Sequence, residues 1–119
     1  MTSYEAGDVV LVPFPFADLT THKQRPALVL ACVASGGLPE LAIVAMITSR
    51  TEADEVPGDC RVDRWAAAGL ARESKVRLAK VVTVEATLVR RKLGMLDAGD
   101  RIRVSRGLDA LLAPWRAPP

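Results

Sequence analysis

The sequence predicts a mainly β fold: a small antiparallel sheet, curled or closed into a barrel, with a helix at its C-terminal end. Three observations carry the prediction. The first half holds short β-branched and aliphatic runs separated by turn residues. The links between those runs are shorter than the dozen or more residues that a parallel crossover needs. Toward the C-terminus, apolar residues recur at helical rather than strand spacing.

Asp8-Val9-Val10-Leu11-Val12 is the first strand and stops at Pro13, whose missing N–H cannot serve a central ladder. Residues 13–16, Pro-Phe-Pro-Phe, continue in extended form, and residues 18–24 make a polar loop. Residues 25–32 read as a second strand, almost wholly apolar and therefore buried on both faces. Ser35-Gly36-Gly37 is a turn, residues 41–48 are a third strand, and residues 49–60 form a second polar loop. A brief strand at residues 60–62 precedes a short helix over residues 64–68, closed by Gly69. Residues 76–84 are a further strand, residues 84–89 contain one helical turn, and residues 92–96 add an edge strand. In the C-terminal helix Asp97 is the cap, and Val104, Leu108, Leu111, Leu112 and Trp115 share a face. Pro114 ends or kinks this helix, leaving residues 113–119 as a loose tail of a single domain spanning residues 1–119.

Composition excludes several classes. With 50% hydrophobic residues and a net charge of +2, the chain is not a disordered one. No apolar run reaches the roughly 18–20 residues that span a bilayer, and the acidic, polar start is not a signal peptide. Two cysteines are too few for a disulfide scaffold. The expectation is a soluble cytoplasmic protein with no membrane partner. Charge is uneven: residues 1–60 hold three basic against eight acidic residues, and residues 61–119 hold thirteen basic against six acidic. Such a basic half suits an anionic partner, nucleic acid first, although a solvated arginine surface fits equally. The five aromatic residues are too few for a base-stacking platform.

One histidine, and two cysteines twenty-eight positions apart, give no metal-ligand spacing. Cys32 continues a buried strand and reads as a small hydrophobe. His22 sits in a polar loop, where a solvated histidine is the plainer reading and a catalytic base the alternative. Glycine-rich phosphate cradles, nucleophile elbows and H-E-x-x-H are missing. Two polar residues stand at strand ends. Arg25 is held extended by Pro26, and Thr48 closes the third strand on the face of Val44 and Met46. Together they suit a phosphodiester, but on the pattern alone a surface arginine and a strand-end threonine come first.

Gly7-Asp8-Val9-Val10-Leu11-Val12-Pro13-Phe14-Pro15-Phe16, then Arg25-Pro26-Ala27-Leu28-Val29-Leu30, then Ile43-Val44-Ala45-Met46-Ile47-Thr48 resemble the MazF/PemK (Kid) toxin family. Ser74-Lys75-Val76-Arg77-Leu78-Ala79-Lys80-Val81-Val82-Thr83-Val84 resembles its later strand block, and the likeness spans about residues 7–112. The resemblance implies an SH3-like barrel, a homodimer, and a sequence-specific endoribonuclease that works without a metal or cofactor and inhibits translation and growth. It also implies a cognate antitoxin that wraps the toxin and blocks its RNA groove. The family's catalytic arginine and threonine fall on Arg25 and Thr48. The residues 18–24 loop lacks glycine, and Ala79 stands where some members carry an acid; both bear on RNA preference.

RNA brings its own nucleophile, the 2′-OH beside the scissile phosphate. Arg25 is expected to stabilise the crowded phosphorus and Thr48 to orient the phosphate or the hydroxyl, giving a 2′,3′-cyclic phosphate and a 5′-OH. A guanidinium, with a reference pKa above about 12, seldom gives up a proton, so His22 and Ser49 are the further candidates for catalysis or RNA positioning. Lys23, Gln24, Arg50, Lys75, Arg77 and Lys80 are the candidates for binding single-stranded RNA. The alternative is a non-enzymatic SH3-like toxin that poisons a protein target such as DNA gyrase, which would not require the Arg25/Thr48 pair.

Overall fold

The computed structural model describes residues 2–13, 23–52, 55–116 and 118. The extended stretch expected at residues 14–16, residues 18–22 of the first polar loop with His22, and residues 53 and 54 of the second lie outside the described residues.

The β-branched runs become β1 (Asp8–Pro13), β2 (Gln24–Val33), β3 (Leu41–Thr48), β4 (Asp59–Val62), β5 (Ser74–Glu85) and β6 (Arg91–Met95). A 3₁₀ turn (Ala86–Leu88) links β5 to β6, and α1 (Ala98–Leu111) and α2 (Ala113–Arg116) end the chain. All pairings are antiparallel, in the order β4-β5-β3-β2-β1-β6. The expected sheet with a C-terminal helix is what forms. Its edges β4 and β6 stay unpaired with each other, so the barrel is open rather than closed.

Both faces of the central strands are packed. Val9, Leu28 and Ala45 are cross-strand neighbours and belong to one core cluster with Ile47, Val76, Leu78 and Val104 of α1. Val10, Ala27, Val29 and Val44 build a second cluster with Val12 and Val89. The bend comes from bulges. β5 carries three extra residues, 78–80, between the Ala45–Val81 and Met46–Arg77 pairs, so its first half serves β4 and β3 together and its second half follows β3 alone.

Two expectations need correcting. Residues 64–68 form a hydrogen-bonded turn, not a helix: Ala68 N–H donates to Arg64 O at 3.1 Å and Leu70 N–H to Trp65 O at 3.0 Å. A segment this short gains too few such bonds to offset helix nucleation, so tertiary contacts hold it. Gly69 closes the turn at φ +83°, and a Cβ there would lie 2.1 Å from Leu93 O of β6, a clash only glycine avoids. The second correction concerns the tail, because residues 113–116 are helical as α2.

From the other side the turn is held by a buried carboxylate. Asp97 caps α1 by accepting from Asp100 N–H, and Asp100, 1% exposed, accepts from the N–H groups of Asp63 and Arg64 at 3.0 Å each. Burial works to raise the Asp100 carboxyl, but those two N–H groups and the Arg103 guanidinium outweigh it and hold the group below the usual carboxylate range. A second buried charge cluster ties β4 to β5. Lys75 Nζ lies 2.8 Å from Asp59, both side chains at most 4% exposed, and Arg77 Nε lies 3.4 Å from the same carboxylate. Burial again opposes ionisation of Asp59, and the Lys75 ammonium, the Val56 N–H and the Arg77 charge again prevail.

Asp100→Ala removes two hydrogen bonds to a charged acceptor and is expected to cost about 2–4 kcal/mol, read as a lowered denaturation midpoint. Both depressed carboxyls stabilise the fold above the ordinary carboxylate pKa, about 3.9, and lose that contribution as pH falls through their lower folded-state values. The melting temperature is therefore expected to fall as pH drops below about 4, and to fall less steeply in Asp100→Asn; an unchanged acid dependence in that variant argues against the role.

Candidate nucleic-acid interface

Pro26 keeps Arg25 extended at the start of β2, and the hydrogen-bonded register of β2 with β3 decides what faces it. The last pair in that ladder is Ala27 with Met46. Carried on by two residues, the same register sets Arg25 across from Thr48, the end of β3. Both residues line one groove of about 230 Å³ together with Ser49 and Arg50. Ile47 and Leu70, buried members of the core cluster beneath, contribute to its lining. The remaining wall is Ala71 and Arg72, from the segment between the Gly69 turn and β5, and Ser74, the first residue of β5.

The Arg25 side chain is exposed and Thr48 half-buried. Thr48 Oγ1 accepts the Arg50 N–H at 3.1 Å. That bond orients the hydroxyl oxygen and leaves its hydrogen available to donate to a ligand. A groove with an apolar floor, three arginines and an oriented hydroxyl suits a phosphodiester: guanidinium forks match phosphate oxygens two at a time, and the floor keeps them partly dry.

The other expected residues are placed differently. Lys23 is exposed just before β2, and Lys80 is exposed in the β5 bulge. Neither lines the groove. Gln24 pairs with Pro13, and its buried Oε1 has no hydrogen-bond partner among the described residues. Lys75 and Arg77 depart from the expectation that they meet RNA: the Lys75 side chain is 2% exposed and that of Arg77 is 15% exposed, both against Asp59. Alternation along an exposed strand would have offered these charges to solvent; the pairing of β4 alongside β5 sets Asp59 next to them and gives them a structural role. His22 lies outside the described residues. Arg72 escaped the sequence reading, since nothing in its neighbourhood marks residues 70–74 as the partner of a groove built from β2 and β3.

Neither cysteine offers a nucleophile. Burial and the bond it donates to Glu40 at 3.0 Å push the Cys32 thiol up, and burial with the nearby Asp59 does the same for Cys60. Among the described residues no group of three or more His, Cys, Asp or Glu lies together to hold a metal ion, and no helix is long and apolar enough to cross a membrane.

Comparison with solved structures finds the same fold in several toxins. A MazF from Deinococcus radiodurans is 27% identical, with 92% of this chain and 96% of that one covered at a TM-score of 0.67. The MazE–MazF complex from Deinococcus radiodurans aligns at 24% identity over 92% of this chain and 94% of that one, TM-score 0.65. An endoribonuclease in complex with its cognate antitoxin, from Mycobacterial species, shares 12% identity over 93% and 96% of the two chains, also at 0.65. No protein of curated description matches the sequence. The sequence model described as PemK-like, MazF-like toxin of type II toxin-antitoxin system matches residues 5–112. With nearly the whole chain matched and the sheet and helix of such toxins reproduced, the protein belongs to the PemK-like, MazF-like toxins of type II toxin–antitoxin systems.

Proposed function

We propose that this toxin is a metal-independent, sequence-specific endoribonuclease that cuts single-stranded RNA and so inhibits translation and growth. The observation that carries the reading is the meeting of Arg25 and Thr48 in one groove with Arg50 and Arg72, in a chain of this toxin family. A toxin acting by contact on a protein such as DNA gyrase has no need of a phosphate-sized cleft with an oriented hydroxyl.

The chemistry asks little of the protein. The 2′-oxygen attacks phosphorus, a new P–O2′ bond forms, the P–O5′ bond breaks, and a proton moves from the 2′-OH to the departing 5′-oxygen. The products are a 2′,3′-cyclic phosphate and a 5′-OH. Arg25 binds the non-bridging oxygens as charge grows on them, and Thr48 donates to the phosphate or aligns the 2′-OH. Ser49, beside Thr48 in the groove, positions the strand. His22, the only histidine, is the side-chain type suited to carrying the proton at neutral pH. Lys23, Gln24 and Lys80 extend the contact along the RNA backbone.

The partners follow the same reading. Complexes with an antitoxin among the similar structures support a cognate antitoxin here. Homodimerisation has support in an apolar cleft of about 450 Å³ between α1 and β2, lined by Leu30, Ile102 and Leu108 among others. Leu111, Leu112 and an 87% exposed Trp115 leave more apolar surface beyond it. The proposed setting is the cytoplasm, where the RNA is.

Purified protein is expected to cleave single-stranded RNA in EDTA, leaving cyclic phosphate ends. Arg25→Ala and Thr48→Ala should each lower the rate by about a hundredfold or more while melting like the parent; undiminished cleavage by Arg25→Ala sinks the assignment. Neutralising Arg50 or Arg72 should weaken binding to every RNA and flatten the plot of log affinity against log salt by about 0.7 per lost contact. A loss confined to one RNA sequence would contradict a backbone role.

A further inference from the structure

Beside the groove lies a second, smaller cavity, about 160 Å³, bounded by Arg61, Asp63, Trp65, Glu73 and Ser74. Ser74 lines both spaces, which makes them neighbours. The half-buried Trp65 packs against the core cluster and also faces the cavity. Its indole is thus held by the core, and ordering it again on binding costs little. Asp63 is engaged by Arg103 at 2.9 Å. Among the described residues nothing pairs with Glu73, whose carboxylate is left as an acceptor at the rim.

We propose that this cavity is a nucleobase subsite, taking the base next to the phosphate held in the groove and preferring a base with an exocyclic amino group. The inference rests on the nuclease reading and extends it to specificity. The volume suits one heterocycle. Trp65 supplies a stacking surface and Arg61 a cation for the adjoining phosphate. Glu73, ionised, accepts and never donates. It receives the amino hydrogens of adenine, cytosine or guanine and is repelled by the two carbonyl oxygens that flank the one N–H of uracil. One indole is not a stacking platform; it reads a single position.

The test uses the full chain carrying Trp115→Phe, which leaves Trp65 as the sole indole. Titration with AMP, CMP, GMP and UMP should give a saturable change in Trp65 fluorescence with the first three, with UMP weaker by about tenfold, within the range of hydrogen-bond discrimination between bases. Glu73→Gln, a substitution at an exposed position, should bring UMP level, because an amide both donates and accepts. The same variant should relax base preference beside the cut in mapped RNA ends. No saturable change with any nucleotide, or the same ranking in Glu73→Gln, overturns the proposal. The titration reads the cavity whether or not RNA is cut, so its failure is distinct from a failure of cleavage in EDTA.

Discussion

Burial on both faces of β2 and β3 is the constraint from which the rest follows. Alternate residues of these strands enter different core clusters, Leu28 and Ala45 in one, Ala27, Val29 and Val44 in the other. Where each face is packed against different neighbours, a one-residue slip misplaces every side chain at once, so the register is strongly specified. Arg25 and Thr48 sit at the end of that ladder. Their meeting is a by-product of core packing, with no contact of their own required to bring them together. This separates what makes the site from what makes the fold, and polar substitutions in the groove leave the core alone.

The opposite wall has another origin. The chain from Asp63 to Glu73 has no helix or strand to stiffen it; it is clamped between two neighbours. On one side, the Asp100 carboxylate of α1 takes the N–H groups of Asp63 and Arg64. On the other, Gly69 lies against the backbone of β6 at a distance no side chain permits. Helix and edge strand thereby position Leu70, Arg72 and Ser74 although neither lines the groove. The Lys75–Asp59–Arg77 cluster continues this bracing along β5. Removing one member of a buried ion group leaves uncompensated charge, so these residues belong to the scaffold.

The two walls together yield a cleft lined by three arginines. It draws arginines from β2, from the turn after β3, and from the segment before β5. The proposed ligand, RNA, is a polyanion that carries its own nucleophile, which such a cleft suits. The uneven charge along the sequence has a physical outlet here, although only part of the basic half lies at the cleft.

Much was legible beforehand because it is local. The third strand was read with its observed ends, Leu41–Thr48, since an unbroken aliphatic run has one efficient use in a sheet. Asp97 as the cap of α1 followed from side-chain chemistry next to a helical period. Arg25 beside Pro26 marked a strand start. What failed was non-local. Residues 64–68 carry helix-forming alanines, but the Arg64 N–H at their start answers to α1 and the glycine that closes them to β6, so the turn goes no further. Lys75 and Arg77 look like surface charges until the pairing of β4 alongside β5 sets Asp59 next to them, and Arg72 has no signature until the Gly69 turn carries it to the groove. The amino-acid order by itself therefore determined the strands, the capped helix and the two ends of the catalytic candidate pair, because propensity, capping and alternation act within a few residues. The tertiary structure alone decided which charges are buried and which arginines share a cleft, because burial depends on neighbours ten to forty positions away that only packing brings near.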